Sequence, residues 1–551
     1  MLAPQNKEFT VLDSIESTQS AWYDEIDSAI KRSDIIPGDY EYTSATSYGN
    51  TGDIEEGAST YVDLAPPRFK IISLDNSYIE LEQEIPISFD KAMDGNKLSK
   101  MWYIGYKYAP ECIGAYRIHT NTDLLQTVNH ANYEWFMIQN SVADSVKEKD
   151  ECYATLDKIR RMDPNVPGVY VDLSAYNSAN VPYIIKMKLK VPVSSFLIFY
   201  NLKYFAEWMG KICIEIFPTY RNLVIAPVID PVLDLDKTIN YSTTASAAHN
   251  IKLRALLDAK PELNLGFYNV NQEMWNFIDT TATAATTPAI DKLKCTVNPG
   301  SKATKIQIRT AQYMLQADIY DAIAQRYMTR PLVFPIQEIE SKDFTQNLKA
   351  ANAAASDINE AMTVALKHCD AAFTVFKRDI HSTTCFENPD LEHITFNING
   401  KFYPREDVNT LDDVRSRNLT QDALNTNRSL ITQIPKDLHT SIQPYTTYMK
   451  FGTGPLQKRY TDGDRSNYML GLPFADSDDF MGGISTANAT VQIQMTGKTK
   501  GATGYNNHLS FSQPTMIMTQ DCLLKIWSFK SATRKQIEIT HETIEQLALT
   551  V

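Results

Sequence analysis

Residues 183–228 read YIIKMKLKVPVSSFLIFYNLKYFAEWMGKICIEIFPTYRNLVIAPV, and the fold turns on how this stretch is read. In its first run Ile185, Met187, Leu189 and Val191 alternate with Lys186, Lys188 and Lys190; in KICIEIF, Ile212, Ile214 and Ile216 alternate with Cys213 and Glu215. A period of two belongs to a strand with one face in a core and the other in water. The connection between the runs carries Phe196, Leu197, Ile198, Phe199, Tyr200, Tyr204, Phe205 and Trp208. That is more apolar surface than a solvated loop leaves open, so protein must cover it.

The strand signal continues outward in both directions. Upstream, RFKIISL and SYIELEQEIPISFD set Ile79 and Leu81 against Glu80 and Glu82, with Pro86 marking an edge or bulge. MWYIGYKY and YEWFMIQN read as further strands, and ATKIQIRTAQYML places Ile306 and Ile308 on one face of another. ADIYDAIAQRY puts Ile319, Ile323 and Tyr327 at helical spacing, which predicts a short helix before RPLVFPIQEIE. LKAANAAASDINEAMTVALKH is Ala-rich and free of Pro and Gly, predicting a helix over 350–368. Strand signals then resume in AAFTVFKRDI, in HITFNINGKFYP with Ile394, Phe396 and Ile398 on one face, in ATVQIQMTG with Val491, Ile493 and Met495, and in TMIMTQDCLLKIWSF. The repeated plan predicts two all-β domains in tandem, at 61–345 and 346–538. The polar segment at 1–60, with one short helix in WYDEIDSAIKRSD, reads as an N-terminal arm, and 539–551 as a C-terminal tail.

Bulk properties agree with a large folded chain. Its 551 residues, 43% hydrophobic and 22% charged, suffice for two to four domains. A formal net charge of −13 argues against a protein whose main work is neutralising phosphates. The opening MLAPQNKEFTVLD lacks the basic and apolar segments of a secretory signal, and no run reaches the length of a membrane span, so synthesis in the cytoplasm or nucleus is expected. The 7 cysteines, odd in number and without a CxxC pair, read as reduced thiols.

Several landmarks, in order, resemble the double jelly-roll major capsid proteins of polinton (Maverick) elements, virophages and adenovirus-like viruses. VPVSSFLIFYNLKYF followed by GKICIEIF is similar to that family's strand, Pro-containing turn, aromatic loop and returning strand. ATKIQIRTAQYML and RPLVFPIQEIE resemble the close of the first roll and the crossing into the second. HITFNINGKFYP, with Asn399, Gly400, Lys401, Tyr403 and Pro404, resembles the second roll's strand and turn, and YMLGLPFADSDDFMGGISTANATVQIQM its late strands. The landmarks span about 65–535; the helical 350–368 segment and the low Gly content depart from the pattern. The resemblance implies two eight-stranded jelly rolls side by side, with helical insertions and an extended N-terminal arm. It further implies homotrimeric, pseudo-hexameric capsomers that join neighbouring capsomers, penton and minor capsid proteins in an icosahedral virion shell around double-stranded DNA. Under it, Phe199, Tyr204, Phe205 and Trp208 are interface candidates, buried against the other roll or a neighbouring subunit. A place in the intradomain core is the equal alternative.

No phosphate loop, HExxH, GxSxG or dinucleotide fingerprint occurs, so no enzymatic activity and no cofactor are expected. His368, Cys369, His381 and Cys385 have the chemistry of zinc ligands, although adjacent His368 and Cys369 make an awkward pair and structural roles are favoured. Asp462, Asp464, Asp476, Asp478 and Asp479 are a candidate calcium cluster, or a glycosidase pair on a β-sandwich, without the regular spacing of either; a solvated acidic loop is the alternative. The Lys186, Lys188 and Lys190 row is the wet face of a strand, paired with Glu from its neighbour, in preference to a contact for packaged DNA. The competing functional class is a tandem β-sandwich binding or attachment protein, spike- or fibre-like.

Overall fold

The Lys70–Phe89 strand, 20 residues long, organises the first half of the chain. It pairs antiparallel with Tyr183–Pro192 along one edge and with Lys302–Met314 along the other. Ile79 lies opposite Val191 and Ile308, and Leu81 opposite Leu189 and Ile306, so one face of the three strands is continuous apolar surface. On the other face Glu82 lies between Lys188 and Lys305. The sequence alternation thus becomes a cross-strand alternation of core and charge.

These strands belong to an eight-stranded sheet, accompanied by two four-stranded sheets built from strands between Thr60 and Asn269. The second half has its own five-stranded and four-stranded sheets, running from Leu332 to Lys535. A single hydrophobic core runs through both halves, from Ile71 and Trp135 to Phe373 and Ile517. The structure is a computed structural model that describes residues 26–27, 41–46 and 53–535, the longer breaks in the last span being 93–100, 229–265, 279–289, 426–465, 476–482 and 502–508.

The expected helix at 317–327 is present as Ala317–Met328. The expected helix over 350–368 is not: Asp357–Ala365 is a strand, paired along its whole length with Thr490–Thr499. Ile358, Glu360, Met362 and Val364 point inward in strict alternation, and burying that face outweighs the small helix preference of its alanines. The reverse error occurs at YEWFMIQN, which lies in the helix Ala131–Ser141. This helix is buried almost all round, and a helix without a wet face shows no 3.6-residue period to read.

The boundary between halves also moves. Leu332–Asp343, expected to close the first domain at 345, pairs with Thr515–Trp527 in the second half's five-stranded sheet. The passage therefore falls at the helix Ala317–Met328, between the last strand of the first set and the first of the second. Part of the expected arm is likewise tied to its own half. Glu41–Thr46 extends the large sheet along Lys302–Met314, and Ile26 is fully buried. Such a strand covers backbone groups that a bare sheet edge would expose. The 539–551 tail lies outside the described residues.

Candidate assembly site and the seam between the halves

The aromatic connection is wound into short elements: a 3₁₀ turn at Val193–Ser195, a helical turn at Leu197–Tyr200, a strand at Tyr204–Ala206 and another 3₁₀ turn at Glu207–Met209. Tyr204–Ala206 pairs with Lys70–Phe89, continuing the edge that Tyr183–Pro192 occupies. Phe199 and Phe205 are fully buried, and Tyr204 and Trp208 nearly so. The single chain therefore covers all four interface candidates itself. Phe196 sets its ring edge-on to Tyr116 at 4.9 Å and to Trp135 at 5.7 Å. Tyr204 donates its hydroxyl to Asp27, which also meets the Lys203 ammonium at 3.3 Å. The Leu197–Tyr200 turn packs against Leu332–Asp343 of the second half, so the loop lies where the halves meet.

That seam combines rings with buried polar groups. Phe386 of the second half stacks on Tyr133 at 6.1 Å and receives the edge of Phe136 at 4.8 Å. Lys107, fully buried, carries its ammonium across the seam to Asn467 Oδ1 at 2.8 Å and Ser466 Oγ at 3.1 Å. Behind it, Glu111 accepts the Lys107 backbone N–H at 3.0 Å. Burial pushes the Glu111 carboxyl up to about 7, against the pull of the Lys107 ammonium. Asn269 and Asn132 of the first half hold the backbone of residues 383–385, and Gln272 holds the side chains of Asp379 and Ser382. None of these polar residues stood out in the sequence, since a lone Asn or Lys carries no periodic signal; only the apolar neighbours did.

The lysine row is neutralised by carboxylates of the same half. Lys186 meets Glu84 and Lys188 meets Glu82 at 3.0 Å, while Lys190 reaches Glu151 at 2.8 Å. Lys302 and Arg309 add contacts to Glu84 at 3.7 Å and Glu80 at 3.4 Å from the opposite strand. The four zinc candidates serve separate surroundings. His368 accepts the Asp521 backbone N–H on its carbonyl at 3.1 Å, Cys369 donates its thiol to the Ala371 carbonyl, Cys385 sits in a small cluster with Tyr103 and Phe267, and His381 donates its backbone N–H to Asp379. Among the described residues no group of three or more His, Cys, Asp or Glu is arranged to hold a metal. Burial pushes the thiol of Cys369 well up and raises that of Cys213 to about 12. Asp462, Asp464, Asp476, Asp478 and Asp479 lie outside the described residues. No described helix is long and apolar enough to cross a membrane.

No family model and no curated protein matches the chain. Solved structures do. The mavirus major capsid protein crystal structure is 9% identical, covers 92% of this chain and 92% of its own, and superposes with a TM-score of 0.51. A chain of the Sputnik virophage structure is 9% identical over 92% of this chain and 90% of its own, with a TM-score of 0.45. The Faustovirus major capsid protein is 8% identical over 94% and 98%, with a TM-score of 0.39. At this identity the mavirus likeness establishes the fold: the chain is a double jelly roll.

Proposed function

We propose that the chain is a major capsid protein of a polinton-like element or related DNA virus, a non-enzymatic component of the virion. The observation that carries this reading is that the mavirus capsid protein is matched over 92% of both chains. Three copies assemble as a pseudo-hexameric capsomer. Each contributes two upright rolls, and the capsomers join one another, penton and minor proteins in an icosahedral shell around double-stranded DNA. The net charge of −13 suits enclosure, and the lysine row, already matched by Glu84, Glu82 and Glu151, leaves little cation for phosphate.

Size-exclusion chromatography with light scattering, followed by negative-stain imaging of each peak, tests the proposal. Trimers with a hexagonal outline, or closed shells, are the expected result. A chain that stays monomeric at high concentration and high salt overturns it in favour of a binding or attachment protein.

A further inference from the structure

We infer that residues 379–388, a loop of the second roll, form a strap that crosses the seam and couples the two rolls into one rigid body, with Asn269 of the first roll as its catch. Asn269 is fully buried at the end of the Tyr268–Asn269 strand. Its Oδ1 accepts the backbone N–H groups of three successive strap residues, Thr383 at 3.1 Å, Thr384 at 3.2 Å and Cys385 at 3.0 Å. Its Nδ2 donates to Thr384 Oγ1 at 2.8 Å and faces the Leu223 carbonyl of its own roll at 3.5 Å. One amide therefore satisfies backbone donors of one roll while anchored in the other.

The catch is itself braced. Gln272 Oε1 accepts the Asn269 backbone N–H at 3.2 Å, while Gln272 Nε2 donates to Ser382 Oγ at 2.6 Å and Asp379 Oδ1 at 3.2 Å. From the Ala131–Ser141 helix, Asn132 donates to the Thr383 carbonyl at 2.8 Å. Beyond the catch, Phe386 enters the ring cluster of Tyr133 and Phe136. Apolar contact alone is non-directional, whereas these bonds have one geometry each and so fix the register of roll on roll. An aliphatic side chain at 269 would leave three strap N–H groups unmet, those of Thr384 and Cys385 buried and that of Thr383 half-buried. A rigid pair of rolls is what a subunit filling two adjacent positions of a capsomer requires. That consequence rests on the capsid reading; the strap is tested on the isolated chain, and its failure would leave that reading standing.

Hydrogen exchange read by mass spectrometry on the full chain, comparing the natural protein with Asn269→Ala and Asn132→Ala, is the test. In Asn269→Ala, peptides covering 379–388 should exchange at least about 100-fold faster, while those from Lys70–Phe89 and Thr515–Trp527 keep their protection. Asn132→Ala, which removes one bond from a half-buried residue, should accelerate the same peptides by about tenfold. If Asn269→Ala does not fold, Asn132→Ala carries the test alone. Unchanged exchange at 379–388, or loss of protection spread equally through both rolls, overturns the strap.

Discussion

Glu134 faces inward from the Ala131–Ser141 helix and is fully buried. Its two oxygens lie 2.7 and 2.8 Å from the Tyr116 hydroxyl, and Oε1 accepts the Leu197 N–H at 3.4 Å, at the start of the aromatic loop's helical turn. Burial pushes its carboxyl from 4.5 up to about 8, more than the Tyr116 and Leu197 hydrogen bonds pull it down. Glu111 moves the same way, to about 7. A carboxyl raised on folding holds a proton that the unfolded chain has released. Its contribution is therefore complete below about pH 4.5, falls as pH rises, and is lost above about pH 8. Urea titrations at pH 5.5 and 8.5 should show lower stability at the higher pH. Glu134→Gln should remove part of that slope, on the order of a few kcal/mol over the range. An identical slope in the variant would place the titration elsewhere.

Among the elements, the hairpin joining Leu391–Ile398 to Lys401–Val408 was the most legible. Ile398 lies opposite Lys401, leaving Asn399 and Gly400 as a two-residue turn with φ of 51° and 81°. Asn-Gly is the pair that such a turn selects, and NGK is plain in the sequence. Gly400→Val should cost about 1–2 kcal/mol in chemical denaturation, because a β-branched residue is strained at positive φ while no neighbour lies within 4 Å of a Cβ there. A variant as stable as the natural protein would mean the turn can rearrange freely. The two misread elements had opposite causes. DINEAMTVA carries its period of two openly, at Ile358, Glu360, Met362 and Val364, but the alanines before it draw a helix reading. YEWFMIQN lies in a helix walled in on nearly every side, where apolar residues follow no period at all.

At the scale of the whole molecule, the basic residues Lys186, Lys188, Lys190, Lys302 and Arg309 of the large sheet are matched locally. The row at Lys186, Lys188 and Lys190 stands beside Glu80, Glu82 and Glu84, and the chain carries a net −13. Tight, salt-sensitive binding to DNA needs unmatched cations. Fluorescence anisotropy with a short duplex at about 0.15 M salt should therefore show no saturable binding below micromolar concentration. Submicromolar affinity that falls steeply with added salt would contradict the reading of the row as internally neutralised. The same scale decides the aromatic loop: Phe199, Tyr204, Phe205 and Trp208 demanded cover, and the chain's own rolls supply it.

The sequence by itself determined most of the strands, though not Asp357–Ala365 or the helix at YEWFMIQN, which faces of them go inward, that two β domains follow one another, and that the aromatic loop must be buried. All of these follow from local periodicity and from the cost of leaving apolar surface in water. Only the tertiary structure decided which strand belongs to which roll, placing Leu332–Asp343 with the second and Glu41–Thr46 with the first. It alone decided what covers the loop, and that Asn269 meets the backbone of residue 383 onward from 114 positions away. Pairing partners and polar catches depend on which groups arrive opposite one another once the chain has closed, and no window along the chain contains both members of such a pair.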